Sequence, residues 1–264
     1  MEKDISRSAE CKTEWTEEQV IQEVGYEFPY HYLDLRCDEY RLMLHVDYIS
    51  RLRVVKDLLK PFEGQRVLDA GCGDGRFCYE LKNENIEIVG VDYSERALGF
   101  ARAFSPEIDF SVQDLTDIKI ADPFDAVVFI ETLEHIAPAD IPGVLCGLHE
   151  VLKPGGKLIV TVPSVNIPLS SKHYQHFTRE SLSAVLGKYF GVAEIMGHSK
   201  IRNVSLLTRV FYWRLRFVAN WLYPFRKRKF VAALYERLNE FYYANLVKGE
   251  PCDCYGLIAV CIKK

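Results

Sequence analysis

The chain has 264 residues, 48% hydrophobic and 27% charged, with a net charge of −4. That supports one substantial core and is short for two full domains. The acidic balance gives no general attraction to a polyanion, so nucleic acid is not expected as a partner.

The first ten residues are polar and lack the apolar core of a signal peptide. The eight cysteines are scattered, and several, Cys146 and Cys261 among them, sit in apolar runs. They are expected as reduced thiols packed as small hydrophobes, which suits a cytoplasmic protein. Cys252 and Cys254 are two soft ligands without a matching pair elsewhere, so no metal is expected on them.

In chain order, residues 1–25 read as an arm with one short amphipathic helix around Glu14–Val24. Apolar residues at three- and four-residue spacing (Leu42, Val46, Ile49, Leu52, Val55, Leu59) predict a helix over Tyr40–Leu59, ended by Pro61 and Gly64. Short β-rich runs then alternate with helical ones. Strands are expected at Arg66–Ala70, Glu87–Asp92, Asp109–Val112, Asp125–Ile130 and Lys157–Val162. Helices are expected at Arg76–Lys82, Glu95–Ala103 and Ile141–Leu152. Such alternation means βαβ units and a parallel sheet covered on both faces. Thr178 caps a further helix reaching Tyr189, and strands at Gly191–Met196 and Tyr255–Ile262 complete the sheet. The expected organisation is an N-terminal arm and helix (1–60), a core (61–200), a helical basic and aromatic insertion (201–250) and a returning final strand (251–264).

The run Val67-Leu68-Asp69-Ala70-Gly71-Cys72-Gly73-Asp74-Gly75 is an apolar strand feeding a glycine-rich turn that opens a helix. That is the general nucleotide-loop geometry, with glycines where the backbone turns tightly against a ligand. Arg76 stands where a dinucleotide fingerprint wants its third glycine. Asp69 and Asp74 would repel a pyrophosphate and suit a ligand carrying an ammonium and a sulfonium, which favours S-adenosylmethionine over NAD. Asp92 ends the second strand, where an acidic side chain accepts the ribose hydroxyls, and Asp114 follows the third, placed to accept from the adenine amino group.

In order and spacing, the segments Val67–Gly75, Val89–Arg102, Phe110–Leu115, Phe124–Ile136 and Leu152–Pro163 resemble the motifs of class I S-adenosylmethionine-dependent methyltransferases. The resemblance covers roughly Gly64 to Phe190. It implies an α/β, doubly wound, mostly parallel seven-stranded Rossmann-like sheet of order 3-2-1-4-5-7-6 with the last strand antiparallel. It also implies cofactor-binding roles for Gly71, Gly73, Asp92 and Asp114. Asp69, Cys72, Tyr93, Leu115, Ile130 and Glu131 lie in the same motifs and join the expected cofactor set.

Methyl transfer needs the acceptor held at near-attack distance and, for a hydroxyl, its proton removed or weakened. After the fourth strand, Glu131, Glu134 and His135 fall on one face of a helical turn. The run resembles the Glu-x-x-Glu-His motif of ubiquinone-biosynthesis O-methyltransferases and of small-RNA 2′-O-methyltransferases, where it holds a divalent metal. The resemblance makes Glu131, Glu134, His135 and His173 a metal-ligand set, with His176 the alternative fourth ligand. A metal-free arrangement is placed first, because carboxylates on a turn are usually solvated or hydrogen-bonded locally. His135, His173 and His176 are then the candidate general bases. Tyr30, His31 and Tyr32 are either part of a lid or ordinary packing aromatics.

The insertion is aromatic and basic, ending in Arg226-Lys227-Arg228-Lys229, and its arginines interrupt any run long enough to span a bilayer. On a helix, Arg202, Ser205, Arg209, Arg216 and Asn220 form one polar stripe, and the rest of Val204–Leu222 is mostly apolar. Packing of the wide apolar face on the core is the first expectation. Docking of 201–230 at a membrane surface and phosphate binding by the arginines are the alternatives. The functional expectation is O-methylation of a small-molecule, lipid-linked or glycan hydroxyl. RNA 2′-O-methylation with a metal and a non-catalytic cofactor-binding module are the competing readings.

Overall fold

The computed structural model describes residues 16–32, 46–61, 63–222, 225 and 229–264. The Tyr40–His45 part of the expected first long helix and the Arg226–Arg228 part of the basic cluster lie outside the described residues.

Helix α1 (Glu17–Gly25) starts at a Thr16–Gln19 capping box, and α2 (Val46–Leu59) follows. The alternating core then runs β1 (Gln65–Ala70), α3 (Arg76–Leu81), β2 (Ile86–Asp92), α4 (Glu95–Phe104), β3 (Asp109–Val112), β4 (Phe124–Ile130), α5 (Ile141–Glu150) and β5 (Leu152–Pro163). It continues with α6 (Arg179–Leu186), β6 (Gly191–Lys200), α7 (Leu206–Leu222), α8 (Lys229–Asn245), β7 (Lys248–Gly249) and β8 (Cys254–Ile262).

The sheet order is β3-β2-β1-β4-β5-β8-β6-β7. β1 to β5 pair in parallel, while β8 runs antiparallel between β5 and β6. The expected seven-stranded order is therefore present, with one two-residue strand added at the edge. β7 forms because the chain leaving α8 pairs briefly with the end of β6, Gly197 opposite Gly249 and His198 opposite Lys248.

Successive strand residues feed opposite faces. Leu68, Val127, Phe129, Leu158 and Val160 enter one buried cluster with α5 and α6. Val67, Ala126, Val128 and Ile159 enter the other, with α2, α3, α4 and α8. Cys261 is buried as expected, whereas Cys146 is exposed on α5; the six described cysteines are all free thiols.

The insertion corrects the expected packing of its apolar face. α7 turns Tyr212, Leu215 and Leu222 inward against α8, but Leu206, Trp213, Phe217 and Trp221 face solvent. Among the described residues, no helix is long and apolar enough to cross a membrane.

Candidate active site

The chain crosses from one side of the sheet to the other between β1 and β4, and the loops after these two strands meet there. Ligands of doubly wound sheets bind at this switch point. Gly71, Gly73 and Gly75 all have left-handed backbones, with φ of 73°, 56° and 77°. The loop is pinned to the end of β2: the Gly71 and Cys72 N–H groups donate to the Val91 carbonyl, and the Gly73 N–H donates to Asp92 Oδ2 at 2.8 Å. A Cβ on Gly71 would stand 2.5 Å from Thr132 Cγ2, and one on Gly73 would stand 2.5 Å from the Tyr26 hydroxyl. The crowding comes from the β4 loop in one case and the N-terminal segment in the other.

Asp92 Oδ1 accepts from the Ser94 N–H, and burial pushes its carboxyl up to about 6 against these two hydrogen bonds. Tyr93 follows with its hydroxyl 3.5 Å from the Gln19 carbonyl of α1. Asp114 is exposed and caps the short turn after β3 through the Thr116 N–H at 2.9 Å. Leu115 points its side chain into the core. It can meet a ligand through its backbone only.

The three charged residues of this turn, Asp69, Asp74 and Arg76, are engaged inside the fold. Asp69 is buried beneath the loop, accepting from the Cys78 thiol, and burial raises its carboxyl to about 7. Asp74 is fully buried and holds His31, whose Nδ1 lies 2.9 Å from Oδ1 and whose backbone N–H donates to Oδ2. Arg76 donates to the His31 carbonyl at 2.6 Å and to Glu80. Tyr30–Tyr32 thus close over the loop: His31 latches onto Asp74 and Arg76, Tyr26 stacks on Tyr30, and Glu23 accepts from Ser94 Oγ. The segment lies against the loop, and its aromatics pack there.

The β4 loop divides the Glu-x-x-Glu-His residues. Glu131, one after Ile130 at the end of β4, has a left-handed backbone (φ 48°), held by its N–H to the Thr161 carbonyl and hydroxyl. Its Oε2 lies 2.7 Å from Arg51 Nη1, and its Oε1 accepts from Thr161 Oγ1. Burial pushes this carboxyl up, but Arg51 and then His198 bring it below the usual range. Its place in the expected metal set is therefore corrected: Arg51 takes the oxygen a cation would need.

Glu134, His135 and His173 do come together, with ligand atoms within 4.8 Å of one another. Glu134 is buried and its Oε2 has no hydrogen-bond partner among the described residues; burial and the Glu131 charge raise its carboxyl well above the usual value. His135 Nδ1 lies 2.8 Å from the Lys172 carbonyl, which fixes Nδ1 as the protonated nitrogen and leaves the Nε2 lone pair toward Glu134. His173 packs edge-on against His135 and bonds His176 Nε2 through Nδ1 at 2.9 Å. Burial is the main cause that brings both His135 and His173 down to about 4, so both are neutral near pH 7. A cavity of about 290 Å³ between α1 and this loop is lined by Ile21, Gln22, Gly25, Phe28, Tyr30 and Lys172.

Arg51 and His198 were not singled out in the sequence. They extend the Glu131 site into a buried network in which Asp47 accepts from Tyr242 at 2.6 Å and from Ser199, itself beside His198 Nδ1.

Residues 67–156 match the methyltransferase domain family. Over these residues the chain is similar to methyltransferase domains. The chain is also similar to ubiquinone biosynthesis O-methyltransferases from Mesorhizobium japonicum (33% identical over 117 residues, 42% of this chain and 45% of that one) and Alkalilimnicola ehrlichii (34% over 122 residues, 44% and 49%). The match thus spans about half the length of these relatives. In fold, the chain is similar to a magnesium protoporphyrin IX methyltransferase from Synechocystis, at a TM-score of 0.58 and 16% identity, covering 96% of this chain and 100% of that one. A TehB-like methyltransferase from Corynebacterium glutamicum gives a TM-score of 0.57 at 16% identity, covering 93% and 100%.

Proposed function

We propose that this methyltransferase domain transfers a methyl group from S-adenosylmethionine to a hydroxyl of a small-molecule, lipid-linked or glycan acceptor. The observation that carries the reading is the switch-point loop: three left-handed glycines clamped to Asp92 beside the Thr132 turn. Asp92 and the loop hold the cofactor, with Asp114 and the Leu115 backbone beyond β3. The cavity beside Lys172 admits the acceptor from the His135 side, and O-methylation accords with the names of the ubiquinone relatives.

The chemistry is an in-line displacement on the methyl carbon. The acceptor oxygen forms the new C–O bond as the sulfonium C–S bond breaks, and the acceptor proton leaves to a base. In this reading neutral His135 takes that proton at Nε2, its Nδ1 being tied to the Lys172 carbonyl. Incubation with methyl-labelled S-adenosylmethionine and fractionated host extract tests the reading. Label entering a lipid, glycan or small-molecule pool is expected; none in any pool would contradict it.

A second reading rests on Glu134. The premise that carboxylates on this turn are solvated or locally hydrogen-bonded does not hold for it, since its buried Oε2 has no partner among the described residues. One carboxylate and two neutral imidazoles, each oriented through its other nitrogen, fit a divalent cation. Glu134, His135 and His173 would hold it, and it would supply polarisation of the acceptor hydroxyl.

A further inference from the structure

The outer face of α7 carries an exposed apolar stripe. Leu206, Val210, Trp213, Phe217 and Trp221 recur at three and four residues, so they form one stripe about 22 Å long. They are 74%, 41%, 59%, 72% and 71% exposed. A wide concavity lies along them, bordered by Arg209 and Arg214. Among the described residues, packing does not account for this face, because α7 meets α8 through its opposite side. Phe225 and Phe230, at the α7–α8 corner, are also exposed, at 55% and 62%.

Charge identifies what covers it. Between Ile201 and Tyr235 there are eight Lys or Arg and no Asp or Glu, although the whole chain carries −4. On the helix, Arg209 and Arg216 flank one side of the stripe and Arg214 the other, and Arg216 stacks on Trp213 at 5.2 Å. Aromatic and aliphatic side chains between cationic flanks match a bilayer interface, where the stripe enters the acyl boundary and the arginines reach anionic headgroups. A second copy of the chain fits worse. A two-fold contact through this stripe would set the arginines against themselves, with no acid in the segment to pair them.

We propose that the α7 stripe docks this protein in the plane of an anionic membrane surface. The hairpin is fastened to the catalytic side of the molecule: Arg53 pairs with Glu240 and Tyr243 donates to Asp57, both ties running from α2 to α8. α2 is also the helix that supplies Arg51 to Glu131. Docking would therefore place the methyltransferase domain at the surface where a lipid-linked acceptor resides. The docking claim stands apart from methyl transfer, since vesicle binding is measured without cofactor or acceptor.

Two of the three tryptophans, Trp213 and Trp221, lie on the stripe, so a Trp15→Phe chain reports on it directly. Mixed with phosphatidylcholine vesicles containing phosphatidylserine, this chain should sediment with the lipid. Its emission should shift to the blue and be quenched by shallow brominated acyl chains. Phe217→Glu should weaken binding at least about tenfold, and Arg209→Glu with Arg214→Glu should remove about tenfold or more of the preference for anionic over neutral vesicles. Three results would overturn the proposal: no sedimentation with anionic vesicles, unshifted and unquenched emission, or a self-association broken by Phe217→Glu in a chain that ignores lipid. Should Phe217→Glu misfold by circular dichroism, the quenching of the otherwise unaltered chain still decides.

Discussion

Arg51 Nη1 stands 2.7 Å from Glu131 Oε2, so a helix preceding the sheet neutralises the carboxylate that follows the fourth strand. Arg51 is buried, at 8% side-chain exposure, and Glu131 is half-buried, at 24%. Removing one partner strands the other charge. Arg51→Met is therefore expected to lower unfolding free energy by about 3–5 kcal/mol. Adding Glu131→Gln should restore much of the loss, because the stranded charge is then gone. Urea unfolding of the two variants measures this.

The same ion pair separates Glu131 from the Glu134, His135 and His173 cluster. Calorimetric titration of manganese into the metal-stripped chain should show binding that Glu134→Gln and His173→Asn each weaken at least about tenfold. Glu131→Gln should leave it nearly unchanged. Absence of heat with the unaltered chain would return the cluster to metal-free proton transfer.

Gly73 combines a φ of 56° with a Tyr26 hydroxyl 2.5 Å from where its Cβ would stand. Gly73→Ala meets both the backbone cost and the clash, so S-adenosylmethionine affinity should fall at least about tenfold. Adding Tyr26→Phe removes the nearest atom and should recover part, but not all, of the loss, since the backbone cost remains.

Asp69 gives a pH dependence with a definite sign. Its carboxyl titrates near 7 in the fold because it is buried, against the ordinary value of 3.8. Between those values the folded chain keeps a proton that the unfolded chain has released. Its contribution is fully present below about pH 4 and is lost as pH rises through 7. Relative to Asp69→Asn, the unaltered chain should lose roughly 1.4 kcal/mol of stability per pH unit across that window. Thermal or denaturant unfolding of both chains from pH 4 to 8 reads the difference, and a constant difference would sink the assignment.

The sheet was legible because both of its faces are buried. Runs such as Val67–Ala70 and Val127–Ile130 alternate with amphipathic helices, and the glycine loop carries its own backbone requirement at Gly71 and Gly73. The two-residue β7 was not, since its pairing with Gly197 and His198 comes from where α8 ends in space. Site residues were legible where they share a strand end or a turn, as Asp92, Glu134 and His135 do. Arg51 and His198 were not, because they meet Glu131 from 80 and 67 positions away in the chain. Asp69 and Asp74 were found as acidic residues at the right turn but assigned to the ligand, when Cys78 and His31 engage them. The helical pattern of α7 was read correctly as amphipathic. Periodicity alone does not say which apolar residues face the protein, and Trp213 and Phe217 face solvent.

The proposed seat of S-adenosylmethionine is the loop from Gly71 to Gly75, held to Asp92. Isothermal titration of S-adenosylmethionine into the full chain tests it most directly. Single-site binding in the micromolar range is expected, weakened at least about tenfold by Asp92→Ala while the chain stays folded by circular dichroism. No binding in that range, or full affinity in Asp92→Ala, would contradict it.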